Sequence, residues 1–290
     1  MLVWKTPRQD HLDVYGTSSL TRPNPYLYTP AIMVNFSAPK NIQYWGAACG
    51  TLSSLLFFFS LVAAHQLPPI KPWFTPEQTT EYWRKHESGA KAGVAIMLLS
   101  AVFYLPFTAT LAIQTSRIPR IHAVVPALQL ACGASGVFTY VIPALVLAVI
   151  PYRLERNPEI TQMLTDAFYF QLIMPWPTFI VQNWVFAYAI LRDPGPRTIF
   201  PRGMAWFNIL APIFYLPGNA MHTAKTGPLA WNGVLGFWFI GLVFCGQLIA
   251  DSICLCLAIR SEGEEDLLLN LIPKKIEQDS ASSPSNGNGV

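Results

Sequence analysis

The chain has 290 residues, of which 52% are hydrophobic and only 12% charged, about half the charged fraction usual for a soluble globular chain. Its net charge of +3, from 19 basic and 16 acidic residues, is too balanced to suggest a nucleic-acid partner. Five cysteines dispersed through apolar runs leave no metal knuckle and no small disulfide scaffold, and what remains is an all-α, polytopic membrane helix bundle whose partner is the lipid bilayer.

Residues 1–43 carry Pro23, Pro25, Pro30 and Pro39 among polar groups and read as an irregular N-terminal arm. The arm lacks the short apolar core of a secretory signal, so the first spanning helix is expected to act as its own insertion signal. A glycosylation sequon, Asn35-Phe36-Ser37, lies there and is expected to be unused.

Hydropathy then gives six segments near or above the ~20 residues that a bilayer requires: 44–64, 91–114, 122–150, 165–191, 204–223 and 229–259. Together they predict a bundle over 44–260. Lys and Arg number 12 in the arm, the 115–121 and 192–203 loops and the tail, against 7 in the alternate connections, which predicts that both termini are cytoplasmic. The tail, 261–290, opens with Glu262, Glu264, Glu265 and Asp266, ends in Ser, Pro, Asn and Gly, and is expected to be disordered. In a eukaryote such a multi-pass chain would reside in the endoplasmic reticulum or another endomembrane.

Small residues recur every four positions at Gly46, Gly50 and Ser54, at Gly89 and Gly93, and at Ala127, Ala131, Ser135 and Thr139, the pattern by which helices in lipid bring their backbones together. Prolines 106, 126, 143, 175, 177, 212 and 217 all fall in segments 2 to 5 and predict kinks, each freeing the carbonyl four residues back.

Polar residues align at helical spacing. Segment 5 places Asn208, Pro212, Tyr215, Asn219 and His222 on one face, and segment 3 places Gln129, Gly133, Gly136, Tyr140 and Pro143 likewise. Segment 2 aligns Tyr104, Thr108 and Thr115, segment 4 aligns Gln171, Pro175, Thr178 and Gln182, and segment 6 sets Gln247 one turn before Asp251. Two accounts fit these stripes: helices bonded to one another, or a cavity with a few polar anchors among aromatics. On the second, Tyr104, Tyr140, Gln171, Trp176, Gln182, Asn183, Asn208, Asn219, His222, Trp231 and Asn232 would contact a ligand. Gln171, Thr178 and Gln182 are expected to face segment 5, with Trp176 beside the cavity.

Ionisable groups inside the segments are few. Asp166 and Asp251 are the candidate proton donors, because apolar surroundings favour the neutral, proton-carrying form of a carboxyl group. Glu87, Lys91, Asp166, His222, Lys225, Trp231 and Asn232 are expected near the non-cytoplasmic mouth. The sequence contains no GxxxxGK[ST], GxGxxG, HExxH, closely spaced His boxes, HxxxxD or paired aspartate motif, so no metal and no cofactor is expected.

The strings Tyr104-Leu-Pro-Phe-Thr108, Val181-Gln-Asn183 and Lys225-Thr-Gly-Pro-Leu-Ala-Trp-Asn-Gly233 resemble those of an uncharacterised family of bacterial and fungal six-helix membrane proteins, over roughly 80–260. That resemblance implies an architecture and no reaction. The chain is also similar in size, hydrophobicity and lack of metal motifs to the membrane-bound terpene cyclases of fungal natural-product pathways, which implies by analogy an intramembrane acid. The resulting expectation is a membrane protein of a biosynthetic pathway that binds a lipophilic intermediate and catalyses metal-free, proton-driven cyclisation or isomerisation. The alternative is a non-catalytic carrier, exporter or scaffold, working as a homodimer or with pathway enzymes.

Overall fold

The computed structural model describes residues 40–195 and 198–281, the stretch 263–281 as helical backbone only. Most of the expected arm, its sequon and the end of the tail lie outside the described residues. Every regular element among the described residues is helical: α1 (Lys40–Ala63), α2 (Pro76–Lys85), α3 (Glu87–Ser116), α4 (Val124–Gly136), α5 (Phe138–Tyr152), α6 (Pro158–Ile173), α7 (Pro177–Leu191), α8 (Arg202–Leu210), α9 (Leu216–Asn219) and α10 (Phe239–Ala281).

Four stretches are long and apolar enough to cross a bilayer: Lys40–Ala63, Glu87–Ser116, Val124–Tyr152 and Val234–Glu262. Segments 4 and 5 are divided into shorter pieces. Pro175 and Pro177 withhold two N–H donors, so α6 ends at Ile173 and α7 starts afresh at Pro177. Pro212 and Pro217 divide segment 5 likewise, into α8, a 3-10 stretch at Ala211–Tyr215, α9 and a further 3-10 turn at Met221–Thr223. Segment 6 opens in a π-turn, Val234–Trp238.

Helix α1 packs along α3 and α10 at backbone distance. A Cβ on Gly46 would lie 1.9 Å from Thr110 Oγ1, and one on Gly50 would lie 2.3 Å from Ser252 Oγ and 2.4 Å from the Phe107 ring. Lipid offers no hydrophobic drive between helices, so this proximity is what replaces it. Ser54 adds a bond of 3.2 Å to the Cys245 carbonyl, and Ser53 one of 2.8 Å to that of Ser100.

One end of the bundle joins the start of α1, the end of α3 and the 258–262 part of α10. Gln114, near the end of α3, bonds Gln43 at the start of α1, and Arg117 donates to the Ala258 carbonyl at 3.1 Å and pairs with Glu262 at 4.0 Å. The opposite end is closed by the 64–75 connection and α2, which Thr75 caps through a capping box with Gln78 and which opens on Pro76. Trp83 of α2 donates to Thr165 at 2.8 Å, and Tyr169 bonds both Gln66 and the Ile70 N–H.

Helix α10 continues through Ala281, so the stretch expected to be disordered from 261 is helical over its first two-thirds. A spanning helix has already formed the costly nucleus, and each further residue adds a bond for little cost.

Gly46→Ala is expected to lower the melting temperature in detergent, because the added methyl overlaps Thr110 and overpacking costs about 1–3 kcal/mol. Gly246→Ala, where a Cβ meets nothing within 4 Å, is expected to be neutral or to stabilise by roughly 0.5–1 kcal/mol. Equal effects of the two would contradict the packing described.

Candidate functional site

Part of the polar stripe of each of five segments meets in one place inside the bundle. Helix α7 supplies two adjacent amides that point to different neighbours. Gln182 accepts from the Tyr104 hydroxyl at 2.7 Å and donates to Thr108 Oγ1 at 3.1 Å, joining α7 to α3. Asn183 donates to Gln247 Oε1 at 3.0 Å, joining α7 to α10.

Gln247 is the hub. Its Oε1 also accepts from the Tyr215 hydroxyl, while its Nε2 donates to Asn208 Oδ1 at 3.0 Å. Asn208 Nδ2 in turn donates to Asp251 Oδ1 at 3.1 Å and to the Met204 carbonyl at 3.0 Å. The chain of bonds thus ends on a carboxyl group that is 4% exposed and has no ion-pair partner among the described residues. Asp251 lies seven residues before Ala258, about 10 Å inside the end of the bundle at 1.5 Å per residue. It is buried within the bundle, on the face of α10 that meets α8.

These groups surround a small chamber of about 20 Å³, lined by Tyr104, Gln129, Gln182, Asn183, Asn208, Tyr215, Gln247 and Asp251 together with Phe107, Phe179, Phe186 and Phe244. Close approach around it depends on Gly133 of α4, where a Cβ would lie 1.6 Å from Thr108 Oγ1 and 2.9 Å from Gln182 Nε2.

A second space adjoins the first. An apolar cleft of about 90 Å³ is formed by Phe57, Leu61, Leu172, Ile173, Trp176, Phe237 and Phe244, with exposed residues Phe58, Trp238 and Leu242 on its rim. Phe244 lines both spaces. Trp176, which lines the cleft, stacks at 4.6 Å on Tyr215, which lines the chamber, and meets Phe244 edge-on at 5.3 Å. The indole N–H of Trp176 is buried without a hydrogen-bond partner.

The residues singled out from sequence therefore fall into separate places. Tyr104, Gln182, Asn183, Asn208 and Asp251 line the chamber. Tyr140 lies beside it, its ring 5.3 Å from those of Tyr104 and Phe57 and its hydroxyl near Ser53 without a bond of normal geometry. The other residues sit elsewhere. Gln171 is exposed, which corrects the expectation that it faces segment 5; Thr178 is half-buried, its hydroxyl without a partner among the described residues, and Gln182 bonds α3 while lining the chamber with Asn208 and Tyr215 of segment 5. The break at 174–176 rotates α7 relative to α6, which a single helical period cannot follow.

Asp166 is half-buried on α6 within electrostatic reach of Lys225, and it does not line the chamber. His222 is exposed with Nδ1 2.8 Å from the Asn219 carbonyl, Asn219 and Asn232 are half-buried, and Lys91 pairs with Glu87 at 2.6 Å on the surface. Trp231 is buried for a structural reason: it stacks on Tyr169 at 4.9 Å with a 6° interplanar angle and donates to the Ile70 carbonyl at 2.8 Å.

The chamber also contains residues outside the expected contact set. Gln129 and Gln247 lay on recognised stripes and Tyr215 on that of segment 5, whereas Phe244 carried no signal among eighteen phenylalanines. Asp193, a second buried carboxylate, accepts from the Gly195 and Ile199 N–H groups at 3.0 and 2.8 Å and shapes a loop. Comparison with protein-family models, curated proteins and solved structures finds no match to this chain, so the site is interpreted from its own geometry.

Gln247→Leu is expected to destabilise the protein strongly, since it strands Asn183, Tyr215 and Asn208 at roughly 1–3 kcal/mol for each unsatisfied group. Asp251→Asn keeps an oxygen facing Asn208 and is expected to cost less. Denaturation midpoints in detergent, with the two substitutions ranked in reverse, would contradict the hub.

Proposed function

We propose that the chain is an integral membrane protein of six crossings, two of them broken, that takes the end of a lipophilic intermediate from the bilayer and catalyses its metal-free, proton-driven cyclisation or isomerisation. The observation that carries this reading is Phe244, which stands between a cleft with an exposed rim and the chamber that holds Asp251. An apolar cavity of roughly 150 Å³ holds a benzene, so a space of about 90 Å³ admits the end of an isoprenoid or acyl chain while the rest remains among lipids.

In this mechanism Phe244 swings aside and the Asp251 carboxylic acid adds its proton to a carbon–carbon double bond of the substrate. The resulting cation lies against the ring faces of Trp176, Tyr215 and Phe244, which attract positive charge. Closure of a ring or migration of the charge follows, and a neighbouring carbon returns a proton to the Asp251 carboxylate. Atoms and charge balance without a cofactor, and the product is an isomer of the substrate. Asp166, outside the chamber, takes no part.

The six crossings are supported by the combined lengths of α6 with α7 and of the pieces between 202 and 223. A cytoplasmic position for both ends is supported by the excess of Lys and Arg in the connections on that side and by the proximity of Gln43, Arg117 and Glu262. An endomembrane pathway for lipophilic natural products is the setting that suits such a protein. The second reading, a carrier, exporter or scaffold, is favoured by the small chamber, whose bonded amides leave an organic molecule no room until Phe244 moves.

Asp251→Asn is expected to fold and to reduce product formation in the host by about 10²–10⁴-fold, the usual contribution of a general acid, with the uncyclised precursor accumulating. Asp166→Asn is expected to leave product unchanged. Unaltered product in Asp251→Asn, or precursor found only outside the cell, would displace the enzymatic reading in favour of transport.

A further inference from the structure

Gln129 presents an unresolved balance in the centre of the chamber. It is fully buried on α4, and neither its Nε2 nor its Oε1 has a hydrogen-bond partner among the described residues. Stripping an amide from water without returning its bonds is costly, and buried amides are almost always paired. The other amides around it are paired: Gln182 with Tyr104 and Thr108, Asn183 with Gln247, and Asn208 with Gln247 and Asp251. Gln129 and Asp251 line the same 20 Å³ of space.

That volume holds one group of hydroxyl size, since a water needs roughly 10–15 Å³ and two to four polar partners. Gln129 offers both a donor and an acceptor, and the chamber adds a carboxyl group. A metal cation is the competing occupant. Hard cations take about six or more oxygen ligands, but the amide oxygens of Gln182, Asn208 and Gln247 already accept bonds, and the Asn208 N–H group is directed at Asp251. The wall therefore offers hydrogen-bond partners and too few free oxygens for an ion.

We propose that the chamber is a binding site for a single water molecule, bonded to both atoms of the Gln129 amide and in contact with Asp251. Gln129 is then a positioning residue: it fixes the water that exchanges protons with the carboxyl group. This site stands whether or not the protein is an enzyme.

Infrared difference spectroscopy of the full chain in nanodiscs, comparing H2(16)O with H2(18)O, tests it. Wild-type protein is expected to show an isotope-shifted O–H band of one isolated water, lost in Gln129→Leu and displaced in Asp251→Asn. The melting temperature of Gln129→Leu is expected to fall by several degrees, because the water loses both its amide partners. Absence of the band from wild-type protein overturns the proposal, and that result does not depend on any variant folding. A rise in melting temperature in Gln129→Leu also overturns it, as the outcome for an amide that was merely unpaired. Stabilisation by sodium chloride but not by choline chloride would overturn it in favour of a cation.

Discussion

A polar side chain inside a bilayer has no solvent to bond, so each must find a partner within the protein or bear the cost of being alone. Gln247 meets that constraint for three elements at once. Its oxygen takes the donors of Asn183 and Tyr215, its nitrogen holds Asn208, and Asn208 holds Asp251. The short elements α7, α8 and the 3-10 stretch after it are tied to α10 through this one amide. The amide on α10 fixes their positions, and the glycines of α1 and α4 let the surrounding helices approach closely enough to seal the network.

Much of this architecture was legible in the sequence. Composition and hydropathy indicate a helical membrane bundle, and the stripe of segment 3, from Gln129 to Pro143, is buried throughout. The stripe of segment 5 held only as far as Tyr215, since Pro212 starts a 3-10 stretch with three residues per turn and the angular count drifts away from Asn219 and His222. The non-helical break at 174–176 separates Gln171 from Gln182. Periodicity loses its phase where a proline ends the helix, and keeps it where the helix continues, as across Pro106 in α3. The carboxylates posed a different difficulty: sequence set Asp166 and Asp251 toward opposite mouths, and only the bundle shows that Asp251 lines the chamber while Asp166 does not.

Partner choice was not legible either. The alignment of Gln182 with segment 4's other polar residues pointed toward segment 5, yet its bonds run to Tyr104 and Thr108, because Gly133 opens that side to close packing. Phe244 shows the same limit more sharply. Nothing distinguishes it from other phenylalanines until Trp176 and Tyr215 are seen stacked beside it, between an apolar cleft and a polar chamber. The proposed acid chemistry draws on that arrangement: aromatic rings beside a carboxyl group whose hydrogen-bond donor, Asn208, is neutral.

Whether the cleft takes a molecule from the membrane is answered most directly by mass spectrometry of organic extracts from purified protein. The control is a variant in which Gly241, on the cleft wall with open space at its Cβ position, is replaced by Phe to fill it. A lipophile that co-purifies with wild-type protein and is depleted from a folded Gly241→Phe variant is the expected result. Identical extracts from the two would contradict a lipophile-binding cleft, and with it the role assigned to the chamber behind Phe244.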